Sequence, residues 1–409
     1  MREMKDSGVE WIGEIPAHWN PIRFRFIAKI TTGNQDTQNA DPDGEYPFYV
    51  RSPIVERCNN YTFDGKGILM AGDGAGAGRV FHLVDGKYAV HQRVYRFYDF
   101  KYMDPVLLKY YLENLFATVM DYGSAKTTVP SVRLPMIQDF VVCVPPKKEQ
   151  DNIVAVLNEK CAQVGSLISN VQAQIEKLKA YRQRLITEVV TKGLDPTVPM
   201  KDSGFEWIGE IPAHWGVTRI KNMFELWNER NDEADLTKVN LISLYTDLGV
   251  VQHSDLTATT GNRAVTAEGY KIVRKHDIVV NIILCWMGAV GMSQYDGVTS
   301  PAYDIYRPLK DTNSEYYHYL FRTNRFNGEC YRYGRGIMMM RWRTYSTEFR
   351  AINIPCPPAE EQKKIVTHLN EKCNKIDQLI AIKQAKIEKL EQYKRSLIYE
   401  YVTGKKEVR

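Results

Sequence analysis

A chain of 409 residues exceeds what one ordinary hydrophobic core organises, so two or more domains are expected. Hydrophobic residues at 44% and charged residues at 25% exclude disorder over most of the length, and a net charge of +5 does not by itself mark a nucleic-acid binder. No run of eighteen apolar residues can span a membrane, the polar start MREMKDSG is no signal peptide, and seven cysteines without C-x-x-C spacing outline neither a disulfide framework nor a zinc site. A cytoplasmic protein with reduced thiols is expected.

The first element is a Trp- and Pro-rich stretch, KDSGVEWIGEIPAHW at 5–19, and it returns as KDSGFEWIGEIPAHW at 201–215 with fourteen of fifteen positions identical. Trp11, Ile12, Ile15 and Trp19, with Trp207, Ile208, Ile211 and Trp215, read as a docking collar where a helix end meets a domain. His18 and His214 have no carboxylate or nucleophile beside them in sequence, so structural use is expected.

The variable region that follows mixes strands (GILMAG, RVFHLV, VYRFYDF) with one helix, PVLLKYYLENLFATVM at 105–120. AGDGAGAGR at 71–79 fits neither the Walker nor the dinucleotide pattern, because Arg79 and Ala77 stand at the deciding positions. A tight glycine turn that admits a phosphate backbone is the better reading.

A double proline then introduces PPKKEQDNIVAVLNEKC (145–161), matched by PPAEEQKKIVTHLNEKC (357–373). After the first, Cys161, Val164, Ile168, Val171, Ile175 and Leu178 recur in steps of three and four, followed by Leu185 and Val189. After the second come Cys373, Ile376, Ile380, Lys383, Ile387, Leu390, Leu397 and Tyr401. This spacing is a coiled-coil seam on two helices of roughly 60–65 Å at 1.5 Å per residue. Lys383 interrupts the second seam and reads as a local exposed edge. Prolines block backward extension, and Gly193 and Pro196 stop the first helix.

The second variable region repeats the plan, with DIVVNIILC and AINIPC as strands and SEYYHYLFRTN (314–324) as a helix. An offset growing from 196 to about 211 residues places an insertion within 228–265. Seven arginines against two glutamates between Arg322 and Arg350, interleaved with aromatics in YRYGRGIMMMRWRTYS, favour nucleic acid for the cluster as a whole. A solvated face remains the better account of any single arginine. The order is variable region, helix, variable region, helix. Chain direction makes the helices antiparallel, with a pseudo-twofold axis across a paired-helix rod.

The collar SGxEWIGEIPAHW, the PPxxEQ lead-in to each helix and this order together resemble the specificity subunit of type I restriction–modification systems, over essentially the whole chain. The resemblance implies two α/β (α+β) target-recognition domains, at about 15–145 and 211–357, separated by two long antiparallel coiled-coil helices. The corresponding division is 1–147 for the first recognition domain and 148–193 for the first conserved helix. Linker, collar and second recognition domain occupy 194–359, and the second helix with its tail 360–409. Each domain would read half of a split, asymmetric sequence in double-stranded DNA, with the rod as a ruler for the spacer. Two modification subunits would hold the methyl donor and methylate adenine. ATP-driven restriction subunits would join them, so this chain carries no catalytic residue, metal or cofactor.

The DNA-contact candidates are Arg79, Gln92, Arg93, Lys126, Thr127, Thr128 and Arg133 in the first domain. In the second they are Trp286, Arg335, Arg341 and Arg343. Three rivals stay open: a coiled-coil scaffold that touches no DNA, a stand-alone bipartite DNA-binding protein, and an enzyme with an unrecognised motif.

Overall fold

The computed structural model describes residues 2–123, 130–253, 266–336 and 342–408. The chain forms two compact units, Met1–Gln172 with Gln384–Arg409 and Ala173–Lys383, so each long helix contributes to both.

Each unit is built on the same four-stranded antiparallel sheet. In the first, Lys29–Thr32, Val94–Tyr98, Gly67–Ala71 and Phe81–Val84 are neighbours in that order. In the second, Phe224–Trp227, Tyr303–Pro308, Ile278–Asn281 and Val290–Met292 repeat it. Successive side chains on a strand point to opposite faces, which splits each apolar run between two cores. Ile68 and Met70 join the main core while Leu69 packs with Tyr88 and Val90. Likewise Ile278 and Val280 face the main core of the second unit, and Val279 packs with Ile242 and Ile305.

Among the described residues seven helices accompany the sheets: α1 (Pro105–Gly123), α2 (Leu134–Gln138), α3 (Lys147–Lys192), α4 (Ser314–Phe321), α5 (Asn324–Tyr333), α6 (Ser346–Ala351) and α7 (Ala359–Val402). In the first unit, Ile153, Leu157 and Cys161 from the start of α3 share one core with Leu397, Ile398, Tyr401 and Val402 from the end of α7. In the second, the end of α3 (Ile186, Val189, Val190) packs with the start of α7 (Ile365, Val366, Leu369, Cys373). Start against end in both units makes the helices antiparallel. Among the seam positions Val164, Val171, Ile175, Ile376 and Ile387 are buried, and Ile168, Leu178, Ile380 and Leu390 are half-buried.

Lys383, which interrupts the second seam, is half-buried, and its Nζ donates to Oε1 of the exposed Gln174 at 2.6 Å. This pair at the exposed margin of the seam satisfies the ammonium without breaking the helix. Near the end of α3, Leu185 is only half-buried and burial shifts to Ile186, Val189 and Val190, because the helix there faces a globular core.

The PPxxEQ sequence has a specific use. Backbone N–H groups of Glu149 and Gln150 bond Pro146 O at 2.9 and 3.0 Å, and Glu361 and Gln362 do the same with Pro358 O. Gln150 is buried; its Oε1 accepts the Asp104 N–H just ahead of α1 and its Nε2 donates to Tyr102 O and Pro145 O. Gln362 ties Asn313, the cap of α4, to Pro357 in the same way. The motif thus locks the start of each long helix to the start of the domain's own helix.

Two elements depart from expectation. DIVVNIILC is not one strand: the strand ends at Asn281, whose side chain accepts the N–H groups of Ile283 and Leu284 and turns the chain into a 3-10 turn at Cys285–Met287. SEYYHYLFRTN is not one helix: α4 stops at Phe321, and Thr323 caps the unexpected α5 by accepting the Phe326 N–H.

His318 on α4 accepts the Met292 N–H through Nδ1 at 3.1 Å, and burial, helped by the Arg322 and Arg182 charges, pushes its pKa down to about 3. A depressed folded-state pKa means the unfolded chain takes up the proton first as pH falls. Stability from this group is therefore full above about pH 6.5 and is lost on acidification towards pH 3, by up to about 1.4 kcal/mol per pH unit. His318→Gln is expected to flatten the acid limb of a stability-versus-pH curve between pH 6.5 and 4; an unchanged slope would refute this.

Candidate nucleic-acid interface

In both domains the loop after the central strand meets the segment ahead of a short helix through one backbone bond. Val132 N–H donates to Gly72 O and Thr344 N–H to Ile282 O, each at 2.8 Å. Arg79 and Arg133 in the first domain and Trp286 and Arg343 in the second lie on these paired segments.

In the first domain the glycine-rich stretch is a closed turn between strands: Gly78 N–H bonds Ala71 O and Ala77 N–H bonds Gly74 O. Gly74 has φ +76°. Gly72 donates its N–H to Arg93 O at 2.9 Å, and a Cβ there would lie 2.8 Å from that oxygen. A Cβ on Gly76 would lie 2.7 Å from Arg51 O. These glycines let two arginine-bearing segments close around Asp73. The Asp73 carboxylate accepts from Arg51 Nη1 at 2.9 Å and Arg93 Nη1 at 2.6 Å. Burial opposes its ionisation, but the two guanidiniums hold the carboxyl below the usual range. Gln92 Nε2 donates to Asp36 Oδ2 at 2.7 Å, and Arg79 and Arg133 are exposed on the same paired segments. Lys126, Thr127 and Thr128 lie outside the described residues.

The second domain uses aromatic rings at the equivalent place. Trp286 packs edge-on to Tyr331 at 5.7 Å, and Tyr331 stacks on Trp342 at 4.8 Å and 21°. Trp342 donates Nε1–H to Tyr331 O, and Trp286 to Ile283 O. Arg335 and Arg343 exchange both backbone hydrogen bonds, at 2.8 and 3.0 Å, beside this stack, and both side chains are exposed. Arg335 also pairs with Glu348 at 3.1 Å. Arg341 lies outside the described residues.

The arginine run is less of a free basic patch than composition suggests. Arg322 donates to Val290 O, Thr246 O and Asp247 O, Arg325 to Ile208 O, and Arg332 to Glu329. Sequence reasoning missed Arg51, which stands far from the other candidates in the chain, and Asp73, which lies within the glycine-rich stretch 71–79 but was not singled out there. Among the described residues no cluster of His, Cys, Asp or Glu is arranged to hold a metal ion, and no helix is long and apolar enough to cross a membrane.

The collars sit at helix ends. Trp19 Nε1–H donates to Glu149 Oε2 at 3.0 Å, and Ile12, Ile15 and Trp19 share a core with Leu397 and Tyr401. Trp215 donates to Glu361 Oε2 at 2.8 Å, and Ile208, Ile211 and Trp215 pack with Val189 and Val190. Trp11 and Trp207 are half-buried against the same cores. The histidines do have carboxylate partners, contrary to expectation: His18 Nε2 lies 2.9 Å from Glu149 Oε2, and His214 Nε2 lies 2.6 Å from Glu361 Oε1. The pairing joins residues 131 and 147 positions apart, which no local pattern reveals.

A duplicated α/β domain with an arginine-bearing rim in each copy defines a binding protein made of two related readers. The family model described as Type I restriction modification DNA specificity domain matches residues 16–177 and 212–392. The specificity subunit of the type I restriction enzyme EcoDI from Escherichia coli is 24% identical over 394 residues, covering 88% of this chain and 82% of its own. That of MjaVIII from Methanocaldococcus jannaschii is 24% identical, covering 96% of this chain and 93% of its own. A chain from a solved structure described as the structural basis of complex assembly and conformational transition of the type I R-M system shares the fold. Its TM-score is 0.67 at 14% identity, over 95% of this chain and 99% of that one. The chain belongs to the type I restriction–modification DNA specificity family. Proteins of this family bind DNA and assemble with the other subunits of the system, and two specificity domains in one chain fit a two-part DNA target.

Proposed function

We propose that residues 15–145 and 211–357 each read one half of a split, asymmetric target in duplex DNA. The observation that carries this is the repeated pairing of loop and pre-helix segment, furnished with different side chains in the two domains. One scaffold with two chemistries suits two unlike half-sites. Arg79, Gln92, Arg93 and Arg133 face the first half, with Lys126, Thr127 and Thr128 beyond the described residues. Trp286, Arg335, Arg341 and Arg343 face the second. The long helices set the unspecified spacer and present similar surfaces to two adenine methyltransferase subunits, which ATP-dependent restriction subunits join. Methylation and cleavage belong to those partners.

The test is co-expression with the methyltransferase subunit, followed by single-molecule mapping of adenine methylation. Exchanging 15–145 for a homologous region is expected to change one half-site and leave the other. R335A/R343A is expected to relax only the second half-site, since a good bidentate base contact discriminates by about 1–3 kcal/mol. A target unchanged by either exchange would overturn the reading.

A further inference from the structure

Resting on the reading that this rim meets DNA, we infer that Asp73 is a positioning residue for the first half-site, holding Arg51 and Arg93 so that Arg93 reads a guanine edge in the major groove. Asp73 is largely sheltered, with 15% of its side chain exposed, while Arg51 and Arg93 expose 43% and 62%. Each arginine bonds Asp73 through Nη1, so this carboxylate does not take up its Nε and Nη2 donors.

Two physical arguments separate this from the plainer accounts. An ion pair whose cation is as exposed as Arg93 contributes little to stability, so stability does not explain gathering two arginines on one carboxylate. Phosphate binding does not explain it either, because affinity for the backbone grows with net positive charge and an acidic group between the arginines subtracts from it. A carboxylate here is worth having only where the direction of the guanidinium matters, as it does for a bidentate bond to guanine O6 and N7.

The surroundings are built to match. Gly72 and Gly76 have no room for a Cβ against Arg93 O and Arg51 O, so the turn is shaped to bring these two backbones to Asp73. His91, buried beneath, accepts the Arg93 N–H through Nδ1 at 3.0 Å and fixes the root of that side chain. Arg51 and Asp73 line a cleft of about 670 Å³ that they share with Glu56. Glu56 Oε2 is buried and has no hydrogen-bond partner among the described residues.

The experiment uses the complex with the methyltransferase subunits and maps methylation for R93A, D73A, D73N and D73E. For R93A and D73N, methylation is expected at sites differing from the target at one G·C position of the first half. Preference for the cognate base should fall about 10- to 100-fold there, with the second half-site unchanged. D73E should restore part of the preference, which a merely structural role for Asp73 would not produce. If D73A fails to fold, the isosteric D73N carries the test. Uniform loss of methylation with base preference intact would mean phosphate contact only and would overturn the inference. So would relaxation by R93A but not by D73N. Failure of the underlying reading looks different, since exchanging 15–145 would then leave the target unchanged.

Discussion

Trp19→Ala is expected to destabilise the first unit by about 3–5 kcal/mol, the range for removing a large buried aromatic side chain. Trp19 is fully buried, and its indole fills the space between the start of α3 and the end of α7. On one side Glu149 takes its N–H and also pairs with Arg2 and His18. On the other, Gly404 at φ +69° leaves no room for a side chain, since a Cβ would fall 3.1 Å from the indole and 2.5 Å from Pro16. Truncation opens a cavity and also leaves the half-buried Glu149 carboxylate short of a donor. Trp19→Phe keeps most of the ring and loses the N–H, so it should cost only about 1–2 kcal/mol. Trp215→Ala should act likewise on the second unit, where Gly193 at φ +76° stands 3.3 Å from the ring by the same measure. Urea unfolding followed by far-ultraviolet circular dichroism, with hydrogen exchange to assign the unit, measures this. An alanine variant with unchanged midpoint would show that the collar is not bearing on stability.

Asp277→Ala should cost about as much, about 3–5 kcal/mol, by leaving a charge without its partner in a sheltered place. Asp277 is 2% exposed and takes both Nε and Nη2 of Arg307 at 3.2 Å. It also accepts the Arg274 N–H at 2.9 Å. Arg307, on the strand Tyr303–Pro308, lies over the Trp227 ring at 4.2 Å and cannot swing free without giving up that contact. Asp277→Asn keeps acceptors for some of these bonds and should fall between the two. The double variant D277A/R307M should recover much of the loss, because an apolar side chain of similar reach leaves no unpaired charge. Thermal unfolding of the three variants decides it, and equal midpoints for the single and double variants would contradict the account.

The long helices were legible because their information is local. A seam recurring in steps of three and four, a proline pair ahead of Lys147 and Gly193 after Lys192 bracket α3 within the chain itself. The duplication was legible for the same reason: identical words at a constant offset need no coordinates. The ends of shorter elements were not. Asn281 stops a strand that apolar composition would continue, and Thr323 starts a helix that composition does not announce. Both act through one side chain bonding the backbone two or three residues on.

The candidate interface was half legible. Arg93 and Trp286 stand out by residue type, but type does not say which arginines face solvent. Arg322 belongs to the arginine run that the sequence assigned to nucleic acid only as a cluster, and it ties three carbonyl oxygens together. The glycine-rich stretch that holds Asp73 was visible, but its pairing with Arg51 and Arg93 was not, because those partners come from segments 22 and 20 positions away.

Periodicity, repeated words and breaker residues in this chain therefore specify its helices, its two related domains and its family, all properties set by neighbours within about one helical turn or by copying. Which carboxylate receives Trp19, which charges pair, and which arginines remain free for a ligand were decided only by folding. Those outcomes depend on side chains from 20 to 130 positions apart converging at hydrogen-bond distance, and long-range convergence leaves no trace in local spacing.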